Sequence, residues 1–255
     1  MSQIVRFLMN SKEYFGLITE DDCSSVKLIE GDIYSKWDTS NKIYSLDEVK
    51  LLSPCTPTKI VGVGLNYSCV LEHKGEQKPN EPTIFLKPSS SVIGPEESIV
   101  IPPGLEAVGY EVELGVVIKK ETKDVDKANV SDYIFGYTCA NDITASEFMK
   151  KGSPWTKGKG FDTFTPLGPS ILVDADPSHV FRLKMFLNGN LTQDQTTDKM
   201  LFNVSELIEY ISSIMTLFPG DVIITGTPSG KGPLKRGDKI FAEIEGLGQL
   251  ANDVI

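Results

Sequence analysis

Residues 109–120, GYEVELGVVIKK, constrain this chain more than any other stretch. The run reads as a β-strand, and from Leu114 to Ile118 both of its faces are apolar, as in a strand buried on both sides. Side chains alternate along a strand, so Glu111 and Glu113 project side by side from one face at the head of that run. An unpaired buried carboxylate is very costly. Either the face is wet at that end, as on the polar side of an antiparallel sheet, or a positive charge lies on it. Arg, Lys or a hard metal ion would serve. The stretch by itself leaves both readings open.

Strands dominate the rest of the chain. Up to about Ser53, the segments IVRFLM, YFGLIT and SVKLIEGDIY alternate and are broken by polar turns, which predicts a small N-terminal β unit over residues 1–54. SPCTPTK, with two prolines in seven residues, is a linker to a larger unit over residues 55–255. Further strands are expected at KIVGVGL, PTIFLK, SIVI, YIFGYTCA, PSILV, FRLKMFLNG, DVIITGT and KIFAEIEGLGQL. Two helices interrupt them. One is expected from Val204 to Phe218, with Leu207, Ile208, Ile211, Ile214, Met215 and Phe218 on one face, Asn203 and Glu206 at capping-box spacing, and Pro219-Gly220 as its stop. The other is expected to start near Thr144, with Glu147 at capping-box spacing, and to stop at Gly152. The sum is a mainly β, α+β chain with few helices and no internal repeat.

A net charge of −10 argues against nonspecific contact with nucleic acid or an acidic membrane surface. Cys23, Cys55, Cys69 and Cys139 are far apart, with no zinc-ligand spacing, which fits free thiols in a reducing compartment. No apolar stretch approaches the roughly 18 residues of a membrane span, and the start carries no signal-peptide pattern, so a cytoplasmic protein is expected.

Several other residues carry candidate chemistry. Asp142, in YTCANDITASEF, sits where a strand gives way to the second expected helix, and a helix N-cap is its plain reading. Were it to approach Glu111 and Glu113, three oxygen donors would converge in a set that suits Mg²⁺ or Mn²⁺. In KGSPWTKGKGFDTFTPLGP, Lys157 and Lys159 flank Gly158, and a solvated basic loop is the favoured reading. GTPSGKGP, Gly226 to Pro233, is not a phosphate-binding loop: three residues rather than four separate Gly226 from Gly230-Lys231, and Gly232 stands where Ser or Thr should be. It reads as a turn between two strands. Only His73 and His179 are present, and no G-x-S-x-G elbow exists, so a nucleophilic triad finds no support.

Taken in order, KIVGVGLNY, PTIFLKPSSSVIG, YEVELGVVI, GYTCANDITA, PWTKGKGFDTFTPLGP, FLNG, LIEYISSIMTLFPGDVIITGTPSG and GDKIFAEIEGLGQLAND resemble the fumarylacetoacetate hydrolase family, above all its members of the 2-hydroxyhepta-2,4-diene-1,7-dioate isomerase type. The resemblance runs from about Thr58 to the C-terminus, with a looser match before it. It implies a mixed β-sandwich or roll around a deep site, a homodimer, and a divalent metal, Mg²⁺ or Mn²⁺ with Ca²⁺ as a third candidate, held by Glu111, Glu113 and Asp142. It also implies an active-site lysine at Lys159, a substrate-carboxylate contact at Thr227, and a glutamine near the pocket at Gln193.

Four positions depart from the family pattern. Where hydrolytic relatives carry a His and, three residues on, a Glu, this chain has Val70 and His73. Where the family usually carries an Arg and then a Gln, it has Ser146 and Met149. His73 is the candidate for a replacement base, but three positions along a helix move it roughly 4.5 Å along the axis, and a surface histidine is the preferred reading. A metal-chelated 2-oxo acid forms an enolate without a water-activating base, whereas carbon–carbon hydrolysis needs one. The resemblance therefore implies an isomerase, tautomerase or decarboxylase acting on a 2-oxo or 2-hydroxy-enoic acid. An acylpyruvate or fumarylacetoacetate-type hydrolase is the alternative, and a metal-containing binding protein without activity is the alternative of another class.

Overall fold

The structure is a computed structural model, and it describes residues 2–19, 24–75, 77–149 and 154–255. Its centre is the Val112–Ile118 strand, buried at every position. That strand pairs antiparallel with Ile134–Asn141 on one side and with Val222–Ile224 on the other. Val222–Ile224 then runs parallel to Lys59–Gly64, and Thr83–Pro88 closes that end of the sheet. On the other side Ile134–Asn141 leads to Thr165–Val173 and so to the N-terminal strands.

Ser2–Met9 is antiparallel to Thr165–Val173, with Ile4 opposite Ile171, and Lys12–Ile18, Ser25–Gly31 and Trp37–Ser45 follow in order. The N-terminal strands thus continue the main 12-stranded sheet. A second sheet of four strands contains Arg182–Leu187, Asn190–Thr196, Lys239–Ile244 and Gly248–Asp253. The architecture is mainly β and mixed, with few helices.

The two faces of the central strand serve two cores. Leu114, Val116 and Ile118 pack with Leu183 and Met185 of the second sheet and with Leu207, Ile208 and Ile211 of a helix. Val117 faces the other way, among Ile4, Ile60, Ile171 and Ile224. Glu111 and Glu113 share the parity of Val117, so they leave the strand toward that same side, beyond the end of its apolar cluster. A wet strand face is thereby ruled out: the two carboxylates belong to buried residues.

Among the described residues, the three α-helices are short. α1 is Ser68–Lys74, α2 is Thr156–Lys159 and α3 is Val204–Ile214. On α3 the Asn203–Glu206 capping box is present in both directions. The helix ends at Ile214, before the Pro219-Gly220 stop, because Leu217 exchanges backbone hydrogen bonds with Thr122 and pulls the chain into extended form. Ile214 and Phe218 consequently lie largely exposed. The helix expected from Thr144 is absent. Thr144–Ala145 forms a short strand with Val108–Gly109, and the buried Thr144 hydroxyl donates to Asp142 O at 3.0 Å, so no side chain is free to cap. A 3₁₀ turn follows at Ser146–Phe148, and the expected stop at Gly152 lies outside the described residues.

SIVI contributes only an isolated bridge from Ile99 to Val254. Asn190–Thr196 is a strand without apolar alternation, formed because the Asn188-Gly189 turn, φ 51° and 81°, folds it back on Arg182–Leu187. Cys55, Cys69 and Cys139 are free thiols, and Cys23 lies outside the described residues. Among the described residues, no helix is long and apolar enough to cross a membrane.

Candidate metal centre and cavity

Two chain segments bring the acids together. Glu111 and Glu113 come from the head of the central strand, and Asp142 follows the end of its partner strand. The Asp142 amide donates to Glu111 O at 2.9 Å, and the Asn141 side chain accepts the Glu111 amide at 3.0 Å, so the two segments are locked side by side. One carboxylate oxygen from each of Glu111, Glu113 and Asp142 lies within 4.8 Å of the others, and all three residues are buried. Asp142 caps no helix; it faces inward.

Lysines hold two of the three acids. Lys159, in α2, donates to Glu111 Oε2 at 2.8 Å and to Asp142 Oδ2. The solvated-loop reading of this lysine is overturned, since Lys159 is only 3% exposed. Lys87, from the edge strand Thr83–Pro88, donates to Asp142 Oδ1 and to the carbonyls of Ile143 and Phe164. Lys231 reaches Glu111 Oε1 at 2.8 Å. Glu113 accepts a backbone hydrogen bond from Gly226 at 2.7 Å and has no ion pair among the described residues.

The electrostatics follow from this pairing. Burial pushes Glu113 well above the usual carboxylate range, with the charges of Asp142 and Glu111 adding to the effect. Burial acts on Glu111 too, but Lys159 and Lys231 outweigh it and leave this carboxyl low, at about 2. Burial alone would lower Lys159; Asp142, Glu111 and Glu113 reverse that and hold the ammonium above the ordinary lysine range. Lys87 goes the other way: burial pushes it down, and Asp142 only partly restores it.

A cavity of about 550 Å³ opens over these groups. Its floor includes the three acids and Lys159, and Phe85 and Trp155, whose ring centroids are 5.4 Å apart, give it an aromatic wall. Thr227 and Lys231 line it from the loop that follows Val222–Ile224. Val70 and the exposed His73 line it from α1, and Ser146 and Met149 from the turn after Asp142. Gln193 is buried behind the loop: it accepts from Val112 N at 3.0 Å and donates to Thr227 Oγ1 at 2.9 Å and Pro228 O at 2.8 Å. His179 lies apart, edge-on to Phe181.

Sequence reasoning passed over Lys87, Lys231 and the aromatic pair. The available signal was the charge itself, since three buried acids demand cations and PTIFLKP places a lysine at the end of an otherwise apolar strand.

The fold has close counterparts among known proteins. The chain belongs to the fumarylacetoacetate hydrolase family: the family model for the fumarylacetoacetate hydrolase C-terminal domain matches residues 59–255. A model described as Rv2993c-like, N-terminal, matches residues 3–54. The crystal structure of 2-hydroxyhepta-2,4-diene-1,7-dioate isomerase from Mycobacterium marinum superposes with a TM-score of 0.92 at 36% identity, covering 100% of this chain and 98% of that one. The oxaloacetate tautomerase Fahd2a, mitochondrial, of Rattus norvegicus is 40% identical over 220 residues, 82% of this chain and 70% of the relative. A maleylpyruvate hydrolase from Sphingobium sp. SYK-6, solved with manganese (II) and pyruvate, superposes with a TM-score of 0.80 at 27% identity, covering 99% and 98% of the two chains.

Proposed function

We propose that this chain is a divalent-cation-dependent enzyme that interconverts enol and keto forms of a small 2-oxo acid or moves its double bond, with loss of a 3-carboxylate as the related outcome. The observation that carries the reading is the pairing on the cavity floor: Lys159 is shared by Glu111 and Asp142, while Glu113 lies among them without a cationic partner among the described residues. Three converging carboxylates fit a hard ion, Mg²⁺ or Mn²⁺. Glu111, Glu113 and Asp142 would hold it. Once there, it supplies electron withdrawal from a chelating 2-oxo acid.

The chain's own groups do the rest. In the enol-to-keto direction the 2-hydroxyl loses a proton, C3 gains one, and no bond between heavy atoms breaks. Lys159, kept cationic by its carboxylates, stabilises negative charge gathering on the C2 oxygen and gives a proton to C3. The amine so formed takes up the proton that the 2-hydroxyl releases, which restores the ammonium. Because Gln193 donates to Thr227 Oγ1, the Thr227 hydroxyl hydrogen is free to bind the substrate carboxylate. Phe85 and Trp155 keep that side of the cavity apolar and exclude water.

One observation favours a second reading, hydrolytic carbon–carbon cleavage: His73 lines the cavity, and an imidazole there has the chemistry to activate a water. Enol–keto conversion of oxaloacetate, followed by absorbance with Mg²⁺, Mn²⁺ or EDTA, tests the proposal. Cation-dependent conversion is expected. Pyruvate and a free acid released from an acylpyruvate would favour hydrolysis, and no turnover of either would favour a binding protein.

A further inference from the structure

On the reading of Glu111, Glu113 and Asp142 as ligands of a divalent cation, on which this rests, we infer that Lys231 is the centre's built-in counter-ion: it holds Glu111 until the cation binds and then withdraws. Both carboxylate oxygens of Glu111 and both of Asp142 are taken by ammonium groups. Lys159 reaches Glu111 Oε2 and Asp142 Oδ2, Lys231 reaches Glu111 Oε1, and Lys87 reaches Asp142 Oδ1. Three lysines thus face three acids, and their formal charges cancel. A divalent cation joining that set would leave two positive charges in excess, in a buried place where like charges repel strongly. Withdrawal of one ammonium halves the excess, and the carboxylate of a bound 2-oxo acid cancels the rest.

The lysines differ in whether they can leave. Lys87 is fully buried and also donates to Ile143 O and Phe164 O, and Lys159 is buried between Glu111 and Asp142. The Lys231 side chain is 59% exposed, with Glu111 as its ion-pair partner among the described residues, and it carries its ammonium on a flexible four-carbon stem. A recess of about 190 Å³, lined by Gly109, Glu111, Ser146, Lys231 and Gly232, opens beside it and gives the side chain room to turn. The backbone on either side is fixed: Gly230 O accepts the Tyr110 hydroxyl at 3.3 Å, and Gly232 O accepts the Tyr110 amide at 3.2 Å. Only the side chain has to move. The pair it leaves is nonetheless firm, because the Glu111 side chain is only 9% exposed and its charge depends on ammonium partners rather than on water. Withdrawal therefore has a cost, and that cost weakens the binding of the cation.

The test is Mn²⁺ binding to the wild type and to Lys231→Met, titrated by electron paramagnetic resonance of the free ion. Lys159 keeps Glu111 ionised in the variant, so the competitor is lost and the ligand is not. Lys231→Met should bind Mn²⁺ at least about tenfold more tightly, the scale of one hydrogen bond to a charged group. In EDTA the same variant should melt at a lower temperature than the wild type, because Glu111 has lost one of its two ammonium partners. A lysine with only a structural role would combine that lower melting temperature with weaker Mn²⁺ binding. Unchanged or weaker Mn²⁺ binding in Lys231→Met would overturn the role of Lys231 and leave the cation centre standing, whereas no Mn²⁺ binding by either protein would overturn both. In the wild type, reductive methylation followed by mass spectrometry should modify Lys231 several-fold faster in saturating Mg²⁺ than in EDTA, with Lys199, paired to Asp198 outside the cavity, as the internal reference. A Lys231 rate that Mg²⁺ leaves unchanged or slows would mean that the ammonium does not withdraw, and the inference would fall.

Discussion

The backbone amide of Gly226 donates to Glu113 Oε2 at 2.7 Å, joining the loop after Val222–Ile224 to the buried central strand. That bond supports a carboxylate with no ion pair among the described residues, in a site where burial and two neighbouring acids resist its charge. Glu113 is thus the least stable charge on the cavity floor and the one that gains most from a divalent ion.

Glu113→Gln separates ligand from scaffold. The amide oxygen can still accept from Gly226, but the charge is gone. Stoichiometric Mg²⁺ or Mn²⁺ binding should be lost and cation-dependent activity should fall by more than about 100-fold, beyond the effect typical of residues that merely support metal ligands. Without added metal, the melting temperature should be no lower than that of the wild type, because a costly buried charge has been removed. Retained metal by elemental analysis would contradict the ligand assignment.

Gly226 itself is under steric control. Its φ is +95°, and a Cβ would lie 2.9 Å from both Asn66 Cβ and Val63 O. Gly226→Ala should cost about 1–3 kcal/mol in urea unfolding, because strain and overlap must both be relieved. An unchanged midpoint would mean that the loop moves freely.

Asp221 gives a pH dependence outside the cavity. Its buried carboxylate accepts from Thr58 N at 2.9 Å, Lys59 N at 3.1 Å and Phe218 N at 2.9 Å, and pairs with Lys59 Nζ at 2.5 Å. Burial raises its pKa, but these donors together bring it below the ordinary value. A depressed folded-state pKa contributes stability that is fully present above the unfolded value of about 3.9 and is lost as pH falls through the folded value. Urea stability should therefore fall between pH 5 and pH 3 more steeply in the wild type than in Asp221→Asn; parallel curves would remove Asp221 from the acid transition.

Legibility in the sequence followed the range of the forces involved. The central strand and the α3 capping box are set by alternation and by contacts three residues apart, so both could be read directly. The same local spacing misled at Thr144 and Glu147, where the buried environment fixes the Thr144 hydroxyl on Asp142 O before any helix can start. Lys87 was illegible for a different reason. Its partner Asp142 is 55 residues away and meets it only because the edge strand and the end of Ile134–Asn141 converge, which no local pattern encodes. Lys231 stands in a turn whose spacing fails that of a phosphate loop, and its partner Glu111 is 120 residues away, so nothing local marks it as a cavity residue.

The Lys87–Asp142 pair tests whether Asp142 faces a cation as well as lysines. Both side chains are fully buried, so Lys87→Met, which keeps an unbranched chain of similar length, removes one counter-charge without opening a large cavity. Breaking a buried pair costs about 3–5 kcal/mol, and the cost here should sit near the lower end, because Lys159 still holds Asp142 Oδ2. In EDTA, urea unfolding should register that full loss. With saturating Mg²⁺ the gap between variant and wild type should shrink, since an ion on Asp142 replaces the missing charge and no longer meets repulsion from the Lys87 ammonium. Binding linkage converts that tighter affinity directly into stability. A gap of the same size with and without Mg²⁺ would mean that Asp142 contributes nothing to the ion, and the centre would then rest on the two glutamates and their lysines.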